Sequence, residues 1–255
     1  MPVNATSPGP FPGSTPSSDA LRKLESLSVL VPVYDEEGTI YELLRRVHAV
    51  SLPLRKQIVV VDDGSSDGTV SEVERFAADH PDARIDLVRH ERNRGKGAAV
   101  RTALARAGGD VVIVQDGDLE YDPRDFPQLL EPILDGRADA VFGSRFLGGP
   151  HRVLYFWHSV ANRALTLLSN MLTNFNLTDM EVCYKAMRRD VALSLDLRSD
   201  RFGIEPEITA KLARGGWRLY EVPVSYAGRS YEEGKKITWR DGAAALFHIV
   251  RYRFL

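Results

Sequence analysis

The chain alternates short apolar, mostly β-branched runs with stretches of helical periodicity, and this alternation limits the possible folds more than any other feature. The apolar runs lie at residues 28–33, 57–61, 85–89, 111–114 and 138–142. Between the first two, Ile40, Leu43, Leu44 and Val47 recur at the spacing of one helix face. Strands that take turns with helices build a mostly parallel sheet with helices on both faces, so we predict an α/β fold.

Length and composition predict one large domain after a short irregular segment. The chain has 255 residues, of which 44% are hydrophobic, and this is enough to bury a sizeable core. Residues 1–24 are rich in Pro, Ser and Gly, and we predict that they are disordered. Residues 25–255 are expected to form a single domain, with a first half at 25–137 and a second half at 138–255.

Cysteine content, apolar run lengths and charge indicate the class of protein. Cys183 is the one cysteine in the chain, which excludes an internal disulfide and fits the cytoplasm. No run reaches the ~18 apolar residues that a membrane span needs. From Ala140 onward there are 17 Lys and Arg against 11 Asp and Glu, whereas the residues before it carry 16 against 24. An acidic first half and a basic second half suit a metal site followed by a surface for an anion.

Acidic residues follow three of the predicted strands at the point where each strand ends. These residues are Asp35, Glu36 and Glu37, then Asp62 and Asp63, then Asp116, Asp118 and Glu120. In an open parallel sheet the carboxyl ends of the strands share one edge, where ligands bind. Carboxylates there can accept hydrogen bonds from a nucleobase or a ribose, and a closely spaced group favours Mg²⁺ or Mn²⁺. Each acidic turn taken alone is also typical of an ordinary surface loop.

A glycine-rich loop at residues 92–97 precedes the third predicted helix. Its backbone N–H groups and Lys96 suit a phosphate, and Gly117 removes a side chain that would obstruct one. The loop is not a Walker A loop, because Gly97 rather than Ser or Thr follows the lysine. A G-x-G-x-x-G motif is missing after the first strand. Nucleotide hydrolysis and a dinucleotide cofactor are therefore not expected.

Four motifs, in this order, resemble the inverting GT-A glycosyltransferases of family 2. They read VPVYDEE, VVVDDGSSDGT, RNRGKGAAV and QDGDLEYDP and begin at residues 31, 59, 92 and 115. The resemblance covers residues 28–240, and the branch it is most similar to is that of dolichyl- or polyprenyl-phosphate mannose and glucose synthases. It implies the GT-A fold, in which a Rossmann-like nucleotide-sugar-binding half is followed by an acceptor half.

The resemblance also implies roles for individual residues. Asp118 would be the principal metal ligand, with Asp116 and Glu120 beside it. Arg145 would bind the acceptor's phosphate, and Asp179 would orient the acceptor or deprotonate it. The implied donor-binding residues are Pro32, Tyr34, Asp35, Glu37, Asp63, Lys96, Gly97, Asp116, Gly117, Arg229 and Lys235. The implied acceptor-binding residues besides Arg145 are His158, Asn162 and Arg163.

Two helical stretches of the second half have structural interpretations. Residues 153–172 predict a long helix, and four of its apolar residues are expected in the core rather than in a lipid pocket. These four are Leu165, Leu168, Met171 and Leu172. Glu205 and Glu207 fit either the first turn of a helix, where acids are favoured, or the recognition of a sugar.

Two segments near the end of the chain have a functional interpretation beside a structural one. The polar loop at residues 227–236 resembles a segment that closes over the donor, and otherwise it is a solvated loop. Residues 237–255 predict a basic, aromatic helix. Such a helix lies on an anionic membrane surface, or it packs on the sheet or on a membrane-embedded partner.

The hypothesis is a transfer of a hexose from a nucleotide sugar, GDP-mannose or UDP-glucose, to a polyprenyl or dolichyl phosphate with inversion at the anomeric carbon. It requires Mg²⁺ or Mn²⁺ and a peripheral position at the cytoplasmic face of a membrane, and it involves no nucleic acid. One alternative keeps the donor but transfers to a soluble or polymer hydroxyl. Others are a nucleotidyltransferase and a non-catalytic nucleotide-sugar-binding protein.

Overall fold

The computed structural model describes residues 23–148, 151–153, 155–229, 232 and 239–254. Its strands are β1 Ser26–Val33, β2 Arg55–Asp62, β3 Ile85–Arg89, β4 Val111–Val114, β5 Ala140–Ser144, β6 Lys185–Arg188 and β7 Leu219–Pro223. Its α-helices are α1 Ile40–Ala49, α2 Thr69–Asp79, α3 Lys96–Arg106, α4 Phe126–Leu134, α5 Phe156–Thr173, α6 Arg189–Ser194, α7 Ile204–Gly215 and α8 Trp239–Phe254, and a 3₁₀ turn lies at Pro123–Asp125. Residues 1–22, which include most of the segment predicted to be disordered, lie outside the described residues.

The strands form one sheet in the order β3-β2-β1-β4-β6-β5-β7. β1 lies between β2 and β4 and is parallel to both, so that Val29 is paired with Ile58 on one side and with Ile113 on the other. All four residues of β4 are buried. A continuous β-branched run suits such a strand because helices cover both faces of the sheet. The predicted α/β fold is therefore confirmed.

β6 is the strand that sequence periodicity did not predict. It has four residues, begins with Lys185, and runs antiparallel to both of its neighbours, β4 and β5. Its short length and its lysine leave no apolar alternation to detect. The antiparallel direction arises because the chain enters β6 from the loop after α5, at the end of the sheet where β4 and β5 finish.

The helices pack on the sheet through the apolar faces that their sequences predict. Ile40, Leu43, Leu44 and Val47 of α1 are all fully buried. Asn174 follows the last residue of α5 with a left-handed backbone, and its N–H donates to the Asn170 carbonyl oxygen. α8 packs against α5 and α7. One continuous apolar core results, and it draws residues from both halves of the chain.

Three of the four apolar residues of α5 that were expected in the core are found there. Leu165, Leu168 and Leu172 pack against the core, as predicted. Met171 does not, because its side chain is 73% exposed. In the part of the chain that the structure describes, no helix has both the length and the apolar character that crossing a bilayer requires.

Candidate active site

The carboxyl ends of β1 and β2 lie side by side and carry two loops that are tied together. The Asp63 N–H donates to the Val33 carbonyl oxygen at 2.8 Å. Asp35 accepts from the Ser66 N–H at 2.8 Å, and Glu37 accepts from the Gly68 N–H at 3.0 Å. Asp35 has a positive φ of 49°, which aspartate tolerates better than most residues. Two predicted donor-binding acids therefore also fix the geometry of this edge.

Asp63 holds the loop that leads into α3. Its side chain is buried and accepts from the backbone N–H groups of Arg94 and Gly95, the second at 2.7 Å. The His90 ring nitrogen Nδ1 lies 2.6 Å from the same carboxylate. With three protein partners, Asp63 orders the glycine-rich loop, and its contact with a nucleobase stays a prediction.

The glycines of this loop are required by contacts within the protein. Gly95 has a φ of 100°, and a Cβ atom on it would lie 2.4 Å from the Asp200 carbonyl oxygen. A Cβ atom on Gly97 would lie 2.2 Å from the Ser199 carbonyl oxygen. The Ala98 N–H donates to Asp200 at 3.0 Å. The backbone N–H groups of residues 94, 95 and 98 therefore already have protein partners, and a contact of this loop with a phosphate stays a prediction.

Lys96 begins a chain of alternating charges that runs into the core. Its ammonium group lies 2.8 Å from Asp116 and 3.3 Å from Glu205. Glu205 in turn pairs with the fully buried Lys185 at 2.5 Å. Glu205 lies in the first turn of α7, which is one of the two interpretations that the sequence left open, and its contact with a sugar stays a prediction. Glu207 accepts from the Ser199 N–H at 2.7 Å and pairs with Lys211 at 2.6 Å, so it also serves the fold.

Arg229 and Tyr226, from the segment after β7, cover the acidic turn that follows β4. The Arg229 guanidinium pairs with Glu36 at 2.8 Å and donates to the Asp118 carbonyl oxygen at 2.6 Å. Glu120 accepts from the Tyr226 hydroxyl at 2.9 Å and from the Arg229 N–H at 2.6 Å. The start of the segment predicted to close over the donor therefore already lies against the predicted metal ligands.

Gly117 packs against β1. A Cβ atom there would lie 2.9 Å from Val33 Cγ1, and the Gly117 carbonyl oxygen accepts from the Thr39 hydroxyl at 2.9 Å. The glycine thus allows the turn after β4 to approach β1 closely. The room for a ligand's phosphates that the sequence predicts at this position stays a prediction.

Asp118 is the group best suited to hold a cation. Burial, followed by the charges of Asp116 and Glu120, raises the pKa of the Asp118 carboxyl to about 7. Among the described residues, its side chain accepts a hydrogen bond from the Glu120 N–H at 3.1 Å. A buried carboxylate between two other acids is short of positive charge, and a divalent cation would supply it.

The three predicted metal ligands do not converge on one point in this structure. Asp116 is paired with Lys96, and Glu120 is turned toward Tyr226 and the Arg229 amide. Within the described ranges, no group of three or more His, Cys, Asp or Glu side chains is arranged to hold a metal. The residue types fit a hard cation, and their assignment as ligands stays a prediction.

Arg145 and Asp179 form a bidentate ion pair on the predicted acceptor side. Arg145 donates from Nε and Nη2 to the two oxygens of Asp179, at 2.6 and 2.7 Å. Asn162 donates to the same carboxylate at 3.1 Å. Asp179 is fully buried, and its carboxylate accepts hydrogen bonds from both of these side chains. This geometry favours an orienting role for Asp179 over a role as a base.

The other predicted acceptor residues lie on α5 with different surroundings. His158 is half-buried, and its ring centroid lies 5.2 Å from that of Tyr155. Arg163 is exposed, with Cζ 5.6 Å from the Phe146 ring centroid. Asn162 is the member of this group that the structure joins to Arg145 and Asp179. Acceptor contacts of His158 and Arg163 stay predictions.

The remaining predicted donor residues are Pro32, Tyr34 and Lys235. Pro32 is buried in β1 opposite Val61. Tyr34 is partly exposed beside Asp35, whose charge raises the pKa of its phenol. Lys235 lies outside the described residues. Their contacts with a donor therefore stay predictions.

Three residues of this region were not predicted as site residues: Glu36, Tyr226 and Glu181. Glu36 lies among the acids after β1, and its pairing with Arg229 depends on a contact across 193 positions, which no local pattern reveals. Tyr226 contacts both sides of the site, because its hydroxyl bonds Glu120 and its ring centroid lies 5.2 Å from Arg145 Cζ. The side-chain oxygen Oε1 of Glu181 is buried with no hydrogen-bond partner among the described residues.

The sheet order, its single antiparallel strand and the acidic carboxyl edge define a GT-A fold, as expected. A solved structure with this fold is glucosyl-3-phosphoglycerate synthase from Mycobacterium tuberculosis, in complex with Mn²⁺, uridine diphosphate and glucosyl-3-phosphoglycerate. It superposes with a TM-score of 0.70 and 20% identity, covering 91% of this chain and 81% of that one. The sequence profile described as Glycosyl transferase family 2 matches residues 28–195. The chain belongs to this family, and the resemblance found in the sequence is confirmed.

Relatives within the family carry names that refer to polyprenyl phosphates. The undecaprenyl-phosphate 4-deoxy-4-formamido-L-arabinose transferase of Edwardsiella ictaluri is 32% identical over 84% of this chain and 64% of its own length. The dolichol-phosphate mannosyltransferase of Pyrococcus furiosus is 29% identical over 82% and 58%. The polyprenol monophosphomannose synthase of Mycolicibacterium smegmatis is 28% identical over 82% and 80%. The chain thus spans about three fifths of the length of the first two.

Proposed function

We propose that this protein is a metal-dependent, inverting glycosyltransferase that moves a hexose from a nucleotide sugar, GDP-mannose or UDP-glucose, to a polyprenyl phosphate. The observation that carries the proposal is Tyr226, which bonds Glu120 at the acidic turn and lies over the Arg145–Asp179 pair. A carboxylate cluster suited to a metal and a guanidinium suited to a phosphate are therefore next to each other. The names of the relatives support the same pair of substrates.

On the donor side, Asp118 would hold Mg²⁺ or Mn²⁺ with the help of Asp116 and Glu120. When bound, the metal neutralises charge on the departing nucleoside diphosphate. Lys96 and Arg229 place two further cations at this edge, each already paired with an acid of the site. These two cations would contact the diphosphate of the donor.

On the acceptor side, the chemistry of a phosphate monoester reduces the need for a base. Its second pKa is about 6, so the attacking oxygen is already anionic at neutral pH. Arg145 would bind this phosphate, because a guanidinium stays charged and matches phosphate oxygens in pairs. Asp179 would keep the guanidinium oriented through its two bonds, with Asn162 fixing the carboxylate.

An exposed apolar surface on α5 and α8 supports docking at a bilayer, where a polyprenyl phosphate resides. The exposed apolar side chains are Phe156, Trp157, Val160, Leu167 and Met171 on α5, and Leu246, Phe247 and Val250 on α8. The α5 residues follow one helix face, and α8 packs against α5. Arg251 and Arg253 at the end of α8 are also exposed. Apolar side chains beside exposed arginines suit an anionic bilayer surface.

The test is sugar transfer into a lipid phase. The full chain is incubated with radiolabelled GDP-mannose or UDP-glucose, Mn²⁺ and a polyprenyl phosphate in detergent, and the label that partitions into organic solvent is counted. We expect lipid-phase label that Asp118→Ala and Arg145→Ala abolish. The exposed Arg137, which pairs locally with Asp135, provides a matched control in Arg137→Ala.

Other outcomes identify the alternatives. Label in a water-soluble product would indicate a soluble or polymer hydroxyl as acceptor, and release of pyrophosphate from a nucleoside triphosphate would indicate a nucleotidyltransferase. Donor binding without turnover for any acceptor would indicate a nucleotide-sugar-binding protein. Lipid-phase label that survives in Asp118→Ala would contradict the metal role.

A further inference from the structure

Glu181 is a partly buried acid that the mechanism above does not use. It lies in the segment between α5 and β6, two residues after Asp179. Its Oε1 atom is buried and accepts no hydrogen bond from any residue that the structure describes. A carboxylate oxygen removed from water without a donor destabilises a fold, so this oxygen is of interest as a ligand contact.

The charged neighbours of Glu181 already have other partners. The charges that act on it belong, in decreasing order, to Glu205, Lys185, Arg145 and Asp179. Glu205 is paired with Lys185, and Arg145 is paired with Asp179. Burial and the charge of Glu205 raise the pKa of the Glu181 carboxyl to about 7. Neither Lys185 nor Arg145 is therefore dedicated to Glu181.

The position of Glu181 relates it to both substrates. Glu205 belongs to the charge chain that starts at Lys96 and Asp116 on the donor side. Arg145 belongs to the acceptor side. The group being transferred must pass between the diphosphate that it leaves and the phosphate that it joins. The charges of Glu205 and Arg145 both act on the Glu181 carboxyl, and Glu181 follows Asp179 by two residues. Glu181 is therefore near both networks.

We propose that Glu181 accepts hydrogen bonds from hydroxyl groups of the sugar that is being transferred. The proposal rests on the function proposed above. A sugar offers several O–H donors and no charge, which suits an acceptor that lacks a donor and lies near other acids. Diphosphate and phosphate groups are anionic and would be repelled by the carboxylate, so they are excluded as its partners.

Equilibrium binding measurements separate the contribution of the sugar to the affinity from that of the nucleotide. Affinities for UDP and UDP-glucose, and for GDP and GDP-mannose, are measured with Mn²⁺ on the full chain and on Glu181→Gln and Glu181→Ala. We expect the variants to bind the nucleoside diphosphate within about twofold of the wild type. The additional affinity that the sugar provides should fall about 10- to 100-fold, the usual effect of losing a hydrogen bond to a charged group.

Deoxy-fluoro analogues of the nucleotide sugar identify the hydroxyl concerned. Replacing the contacted hydroxyl should weaken binding to the wild type but not to Glu181→Ala, whereas other positions should show equal losses in both. Glu131→Gln is the matched control, because this acid lies on α4 with its side chain 71% exposed. It should behave as the wild type with every analogue.

The outcomes distinguish this proposal from the one on which it rests. If the wild type binds neither nucleoside diphosphate, or binds the diphosphate and the nucleotide sugar equally, the proposed function fails. If the wild type prefers the nucleotide sugar and the Glu181 variants keep that preference, the role of Glu181 is overturned. An equal loss for diphosphate and nucleotide sugar would assign Glu181 a purely structural role and would also overturn it.

Discussion

Glu181→Gln should stabilise the protein, and the effect should depend on pH. In the folded protein burial and the charge of Glu205 raise the pKa of Glu181 from 4.5 to about 7. A carboxyl whose pKa is higher in the folded state binds its proton more tightly there. The free energy of unfolding therefore falls as pH rises from about 4.5 to about 7, and it stays low above that range.

The magnitude follows from the shift. Such a change in pKa corresponds to about 3 kcal/mol at most. Because Glu181 keeps some solvent exposure, we expect about 2 kcal/mol. Glutamine has nearly the same shape and no charge, so Glu181→Gln should unfold about 4–8 °C higher than the wild type at pH 8. Below pH 4.5, where both side chains are neutral, the two proteins should unfold at the same temperature.

The assay is thermal unfolding, followed by circular dichroism, of metal-free protein at pH 4, 6 and 8. Glu131→Gln removes a carboxylate whose side chain is 71% exposed, and it should leave the difference between pH 4 and pH 8 unchanged. The reasoning is refuted if Glu181→Gln has the same unfolding temperature as the wild type at pH 8, or if its gain is equally large at pH 4.

Three further changes test other parts of the structure. Gly97→Ala should lower the free energy of unfolding by about 1–3 kcal/mol in urea titrations, because the new Cβ would lie 2.2 Å from a carbonyl oxygen. Gly38→Ala is the control, since its Cβ meets nothing within 4 Å and should change the free energy of unfolding little. Arg145→Ala should lower the free energy of unfolding by about 3–5 kcal/mol, because it leaves the buried Asp179 charge unpaired. The double variant with Asp179→Asn should recover most of this loss. Additive losses in the double variant would contradict the pairing. Trp157→Ser, at a side chain that is 75% exposed, should weaken sedimentation with anionic vesicles without changing the unfolding temperature, and unchanged sedimentation would count against bilayer docking.

Local patterns were sufficient for most of the sheet and for the position of the site. The apolar runs identified β1, β2 and β4 because their residues are buried on both faces and leave a continuous signal. The shorter run at the edge strand β3 was sufficient although β3 is only half-buried. Acids at the ends of β1, β2 and β4 were expected at one edge because parallel strands end together. β6 left no such signal, since its four residues include a buried lysine whose partner, Glu205, lies 20 positions away.

Local sequence patterns could not predict the hydrogen-bond partners of each site residue, because those partners belong to distant segments of the chain. Glu120 accepts a hydrogen bond from the Arg229 amide 109 positions later, and this contact fixes the orientation of its carboxylate. The glycines at positions 95 and 97 suggested a phosphate loop, yet the chain near Asp200 fills the space in front of them. Met171 follows a helical apolar pattern, but a helix with two apolar faces does not reveal which one is covered.

The position of β6 has a consequence for folding during synthesis on the ribosome. β4 needs β6 as its neighbour, but residues 115–184 must be translated between the two strands. β5 emerges earlier, but in the finished sheet it pairs with β6 and β7 rather than with β4. The nascent chain therefore has an open Val-Val-Ile-Val edge while these residues are synthesised. Such an edge attracts other strands, so a chaperone that shields it until Arg188 has emerged would raise the yield of folded protein.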